Sequence, residues 1–209
     1  MLIFISGMSC TGKTTLINTL EEMGKQGLLQ KILGKPDYPI EVVKELTRTM
    51  FYELCPVWMT YKDLIAHPSD YMTFIHRVAD RFDSLVRKYS SYDKDRIIIF
   101  DRAPIDYRIN LLLNYNNDNP TEMNDLASHY LEVDTIFSKV PNGDYLFMTN
   151  PNSPMNKMEY DGFRPKDYSH RRIIEYQYFR LVSQLPDTII LPDGVTDRIG
   201  FIIRSILKG

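Results

Sequence analysis

Cysteine is nearly absent from this chain. Cys10 and Cys55 are the two among 209 residues, which excludes a disulfide framework and fits a reducing, cytoplasmic setting. Surplus charge is missing too. Twenty-five Lys and Arg against 27 Asp and Glu give a formal net charge of −2, without the basic excess that gripping a nucleic-acid backbone calls for, so a polynucleotide partner would need a local basic groove. Long apolar runs do not occur. The N-terminal stretch of residues 1–6 is too short to span a bilayer and lacks the basic flank of an export signal, so neither membrane insertion nor secretion is expected. There is no internal repeat, no low-complexity tract and no linker long enough to separate domains; the Asn-rich segment 114–120 reads as one surface loop. With 44% hydrophobic content, residues 1–209 are expected to form one domain with a sizeable core.

What the sequence does carry is Gly7-Met-Ser-Cys-Thr-Gly-Lys-Thr14, which fills every fixed position of the phosphate-loop pattern G-x-x-x-x-G-K-[ST]. An apolar run suited to a buried strand precedes it. Leu16, Ile17 and Leu20 follow at helical spacing, so the motif sits in the strand-loop-helix context that its chemistry needs. Gly7 and Gly12 let the backbone approach phosphate oxygens without a Cβ in the way, and successive amide N–H groups at the helix start attract the anion. Nucleotide-binding residues are therefore expected at Gly7, Ser9, Cys10, Thr11, Gly12, Lys13, Thr14 and Thr15. Lys13 would neutralise the β and γ phosphates of ATP, and the Thr14 hydroxyl would hold Mg²⁺.

Short apolar segments alternate with helical ones. Strands are expected at 1–6, 39–44, 96–100, 144–148 and 188–191, with helical spacing over 69–89, 105–113, 121–139 and 168–184. Such alternation implies an α/β fold with a parallel sheet between helical layers, in which ligands bind beyond the carboxyl ends of the strands. Gly7, Glu45, Asp101 and Asn150 all lie at such ends. Four strand ends thus point at one crevice.

Each carries a chemical expectation. Asp101, directly after an apolar strand, is placed to hold Mg²⁺ opposite Thr14, the alternative being a turn before Ala103-Pro104. Arg102 could clamp the transferred phosphate through its rigid fork of donors, or pair with Asp106. Glu45 and Arg48, three apart at a helix start, can share a face. A carboxylate there suits a general base for a hydroxyl acceptor, the alternative being a surface ion pair. Over 157–172 the chain carries Gly, Pro and the basic residues Arg164, Arg171 and Arg172, readable as an arginine-rich lid closing over the triphosphate or as a solvated basic face. On the 69–89 helix, Tyr71 and Phe74 could stack on an acceptor base beside Arg77, although aromatic residues on a helix are more often core.

Taken together, the 7–15 loop, the Glu45-x-x-Arg48 pair, Phe100-Asp-Arg-Ala-Pro-Ile-Asp106 and the arginine-bearing segment before a Tyr-rich helix resemble the small nucleoside and nucleotide kinases of the P-loop superfamily. Among these are deoxynucleoside kinases, thymidylate kinases and the nicotinamide riboside kinase domain, with cellular and phage members. The resemblance spans nearly the whole chain. It implies a three-layer P-loop NTPase fold with a five-stranded parallel sheet and an Arg-rich lid, ATP and Mg²⁺ as cofactors, Glu45 as acceptor-side base and Asp101-Arg102 as the acidic-Arg pair after the third strand. Ala103 departs from it, since deoxynucleoside kinases usually have Ser there and thymidylate kinases Tyr. The implied reaction is transfer of the γ-phosphoryl group of ATP to a nucleoside or nucleoside monophosphate, with a deoxynucleotide-type acceptor expected. A polynucleotide end or modified base as acceptor, and a nucleotide hydrolase or switch, are the alternatives. Oligomeric state is left open by the sequence, although the apolar 105–113 helix could form a homodimer face.

Overall fold

In the computed structural model, backbone is described for all residues except 9, 92–94, 115–119, 142, 151–167, 184, 186 and 209; side chains are additionally undescribed at 110–114, 120–127, 129–130, 168–172 and 181–182. Five strands, β1 (Leu2–Ser6), β2 (Ile40–Val43), β3 (Ile97–Asp101), β4 (Tyr145–Thr149) and β5 (Thr188–Leu191), form one sheet in the order β2-β3-β1-β4-β5. Every pairing is parallel.

The order explains the sequence pattern. β1 and β3 are interior strands buried along their whole length, so both read as unbroken apolar runs rather than as an alternation. Successive side chains then divide between two cores. Leu2, Phe4, Ile98, Phe100 and Met148 face one layer of helices, while Ile3, Ile5, Ile97, Ile99 and Phe147 face the other. The second layer holds α1 (Lys13–Lys25), α2 (Leu28–Ile32) and α9 (Val195–Lys208). The first holds α3 (Leu46–Leu54), α4 (Tyr61–Ala66), α5 (Pro68–Ser90), α6 (Pro104–Asn114), α7 (Pro120–Lys139) and α8 (Tyr168–Val182).

α5 is the spine of that layer. Tyr71, Phe74, Ile75, Val78, Phe82, Val86 and Tyr89 recur at helical spacing and are all buried. α6 also turns its described apolar residues inward, with Ile105, Tyr107 and Ile109 at 5% exposure or less. Those three side chains belong to the monomer's own core, while the side chains of 110–114, the rest of the candidate dimer face, lie outside the described residues. Among the described residues, no helix is long and apolar enough to cross a membrane.

Candidate active site

The loop between β1 and α1 is shaped by contacts from three other elements. Gly7 has φ 133°, and a Cβ on it would lie 1.9 Å from Thr149 Oγ1 at the end of β4, so both backbone conformation and space demand glycine. Thr149 is fully buried. Its Oγ1 lies 2.7 Å from Thr11 Oγ1, which donates to the Met8 carbonyl at 2.8 Å. Gly12, at φ 78°, caps α1. Lys13 is buried, and its Nζ donates to the carbonyls of Gly7 and Met8 at 2.5 Å each, which holds the ammonium against the loop. Thr14 and Thr15 are exposed on the first turn of α1, and Cys10 is exposed at φ 61°. Ser9 lies outside the described residues.

β3 brings the next groups to the same end of the sheet. Asp101 pairs in register with Ile5, just before the loop. Burial raises its carboxyl above the ordinary carboxylate range, against the opposing pull of Arg102 and Lys13. A divalent cation would relieve that burial of charge. Thr14 and Asp101 offer the hard oxygen donors that Mg²⁺ prefers. Among the described residues no group of three or more His, Cys, Asp and Glu is gathered to hold a metal ion alone. A nucleotide's phosphates and water would therefore have to complete the coordination, as is usual for this ion.

Arg102 is the junction of the site. It is 4% exposed and has φ 110°, a left-handed conformation that costs a non-glycine residue about 1–3 kcal/mol. Its Nη1 donates to the Gly7 carbonyl at 2.9 Å and to Asp106 Oδ1 at 3.2 Å, and its Nη2 lies 3.4 Å from Glu45 Oε1. Burial alone would favour losing the proton, but Glu45 and Asp106 outweigh it and hold the guanidinium well above its usual value. Of the two alternatives read from sequence, the structure shows the Asp106 pairing.

Asp106 was legible only as a partner for Arg102, yet it is the most heavily used acceptor in the site. It is fully buried. Its Oδ1 accepts from the Gly7 N–H at 3.1 Å, from Arg102 and from the Tyr178 hydroxyl at 2.5 Å, while Oδ2 accepts from the Ala103 N–H at 2.7 Å. Sequence held a partial signal for this, because Pro104 opens α6 and an acid two residues later can reach back to the orphan N–H before it. Nothing local pointed to Tyr178 on α8 or to Thr149 on β4.

The residues expected on the acceptor side are less fully assembled. Glu45 caps the start of α3 directly beyond β2, its side chain 18% exposed, and Arg48 sits one position short of a turn later, half-buried. Tyr71 and Phe74 are 1% and 4% exposed. Their rings meet Tyr61 and Phe51 edge to face at 6.4 and 6.3 Å, so as folded both belong to the core and neither offers a face for stacking. Arg77 is exposed on α5. Arg164 and the side chains of Arg171 and Arg172 lie outside the described residues, and with them the expected lid.

The fold has solved counterparts. A deoxyadenosine kinase from M. mycoides, with the products dCMP and dCDP bound, superposes over 100% of both chains at a TM-score of 0.64 and 15% identity. A thymidylate kinase from Candida albicans matches 99% of this chain and 90% of its own at 0.51 and 12%. NadR in complex with NR matches 99% of this chain but only 48% of its own, at 0.55 and 15%. At these identities the likeness is one of fold. No curated protein matches the chain. Residues 2–186 match the family described as an AAA domain.

Proposed function

The chain belongs to the AAA-domain family, and from that premise we propose that it is an ATP-dependent P-loop kinase that transfers the γ-phosphoryl group to a nucleoside or nucleoside monophosphate. The observation that carries this reading is the span of Arg102. One guanidinium reaches from the Gly7 carbonyl of the phosphate loop to the Glu45 carboxylate on the other side of the crevice, so a donor phosphate and an acceptor would meet around it. The kinase neighbours add support, since the deoxyadenosine kinase structure holds dCMP and dCDP.

The chemistry follows from the groups present. The loop amides and Lys13 bind the donor phosphates, and the Arg102 fork faces the charge that spreads over the transferred group. Mg²⁺, held through Thr14 and Asp101, would supply further neutralisation. Glu45 takes the proton of an acceptor hydroxyl; an acceptor phosphate would instead rely on Arg48 and Arg102. With Glu45, Asp101 and Asp106 all close to the single guanidinium of Arg102, the local charge favours the neutral hydroxyl. A net charge of −2 weighs against a polynucleotide acceptor.

The test is incubation with γ-labelled ATP and Mg²⁺ against a panel of nucleosides, nucleoside monophosphates and short oligonucleotides. Label is expected on a nucleoside or monophosphate. Release of label only as inorganic phosphate would make the protein a hydrolase, and label only on oligonucleotide ends would move the acceptor to a polynucleotide.

A further inference from the structure

Arg198 lies on the first turn of α9, far along the sequence from every motif that defines the crevice, and is 3% exposed. Its Nε donates to the Pro192 carbonyl just beyond β5 at 2.8 Å. Its Nη1 donates to the Thr11 carbonyl inside the phosphate loop at 2.5 Å. Nη1 also lies 3.1 Å from where a Cβ on Gly12 would stand. The guanidinium therefore fills the space directly behind the loop.

Two features make this more than packing. The first is charge. Both hydrogen bonds go to neutral main-chain carbonyls, and no described carboxylate lies within 4 Å to form an ion pair with Arg198. Burial draws its pKa down, with Asp193 opposing only in part. Burying a cation without a paired anion is costly, and the cost falls when an anion arrives nearby. The second is direction. The chain has no cis peptide bonds among the described residues, and in a planar trans peptide the C=O and N–H point opposite ways. With the Thr11 carbonyl turned back toward Arg198, the Gly12 N–H of the same peptide is turned forward, into the loop.

We propose that Arg198 is a positioning residue for the donor phosphates: it fixes the Thr11–Gly12 peptide with its N–H toward the bound anion and places a positive charge without a direct ion-pair partner behind the loop. It touches no substrate and acts through the backbone of Thr11 and Gly12. The inference rests on the phosphate loop binding a nucleotide, as in the proposed function, but does not depend on the acceptor.

The test is calorimetric titration of Mg·ATP and of tripolyphosphate into wild type, Arg198→Met and Arg198→Lys, with thermal unfolding of each ligand-free protein. Loss of a charge-assisted contact predicts that Arg198→Met binds both ligands about 10-fold or more weakly. Its ligand-free Tm should be unchanged or raised, because a buried unpaired cation has been removed. Arg198→Lys keeps the charge but not the planar fork, so it should bind both ligands more weakly than wild type by a smaller factor. Added guanidinium ion should restore some of the affinity of Arg198→Met. If Arg198→Met does not fold, Arg198→Lys decides. Binding within about twofold of wild type by every folded variant overturns the inference. So does a fall in Tm with affinity per folded molecule unchanged, the mark of a merely structural arginine. Wild type that binds neither ligand would overturn the proposed function itself.

Discussion

The phosphate-loop half of the crevice and the Glu45 half, proposed as its donor and acceptor halves, are built on different principles. Around the donor loop, nearly every group is backbone or is tied to backbone. Gly7 and Gly12 have positive φ, Lys13 bridges two carbonyls, Thr11 bonds Met8, and Arg198 bonds Thr11. On the Glu45 side, side-chain pairs carry more of the connections, as in Glu45 with Arg102 and Arg102 with Asp106, above an aromatic core of Phe51, Tyr61, Tyr71 and Phe74. A cradle of main-chain amides suits the invariant portion of a ligand, the polyphosphate. Side-chain pairs can be rearranged to suit a variable one. Substitutions of the loop glycines should therefore be close to all-or-none, and those of side chains on either side graded.

The largest effect is expected at Gly7. Gly7→Ala forces a Cβ to 1.9 Å from Thr149 Oγ1 on a residue at φ 133°, so nucleotide binding should be lost and Tm should fall. Adding Thr149→Ala removes the nearest clashing atom but not the dihedral strain, so the double variant should recover stability only partially. Full recovery of Mg·ATP binding in the double variant would mean that the clash alone, and not the backbone conformation, requires glycine. Lys13→Ala comes next. It should lower transfer by about 10²-fold or more, as loss of a preorganised group facing developing charge does, which steady-state assays at saturating ATP would read.

Across the crevice, Glu45→Gln should lower kcat by about 10²–10⁴-fold if the acceptor is a hydroxyl, with ATP affinity spared. Arg48→Ala should then be mild. The reverse ranking would assign a phosphate acceptor, and full turnover in both variants would remove α3 from the site. Asp101→Asn separates stability from function. Burial raises the Asp101 carboxyl, so below the unfolded-state value both states are protonated and the residue contributes nothing. Between that value and the raised folded-state value the unfolded chain has lost the proton while the native carboxyl keeps it, so stability falls as pH rises across this window and is constant above it. In ligand-free and metal-free protein, Asp101→Asn should therefore raise Tm at neutral pH, with the gain shrinking as pH falls. Its Mg²⁺ requirement for transfer should increase. A variant less stable than wild type at neutral pH would show that Arg102 and Lys13 outweigh the burial.

The same division governs what the sequence made legible. The donor loop is one contiguous motif in a strand-loop-helix context, and the strands matched expectation to within a residue or two because interior strands bury both faces and read as apolar runs. α2 and α4, of five and six residues, are too short to show a helical period. α9 carries its period plainly at Ile199, Ile202, Ile203 and Ile206 but was not among the expected helices. What stayed hidden were contacts that close long loops, such as Arg198 to Thr11 across 187 positions and Tyr178 to Asp106 across 72. Tyr71 and Phe74 show the opposite failure. Type and spacing on an acceptor-side helix suit stacking and core packing equally, and burial decided for the core.

The smallest effect tests whether the halves are joined through α8. Tyr178 is buried and donates to the same Asp106 oxygen that receives the Gly7 N–H and the Arg102 guanidinium. Tyr178→Phe removes one donor and leaves Asp106 three others, so stability should fall by about 1 kcal/mol, the usual net value of such a bond. In a chain of this length that is a Tm loss of about 2–4 °C. The informative quantity is turnover below the transition, where every molecule is folded. If Asp106 holds Gly7 and Arg102 in one arrangement and Tyr178 helps fix it, kcat should fall several-fold with the KM for ATP unchanged, because the donor loop keeps its own backbone contacts. Unchanged kcat alongside the lower Tm would confine Tyr178 to anchoring α8, and the donor and acceptor halves would then meet at Arg102 and Asp106 without help from that helix.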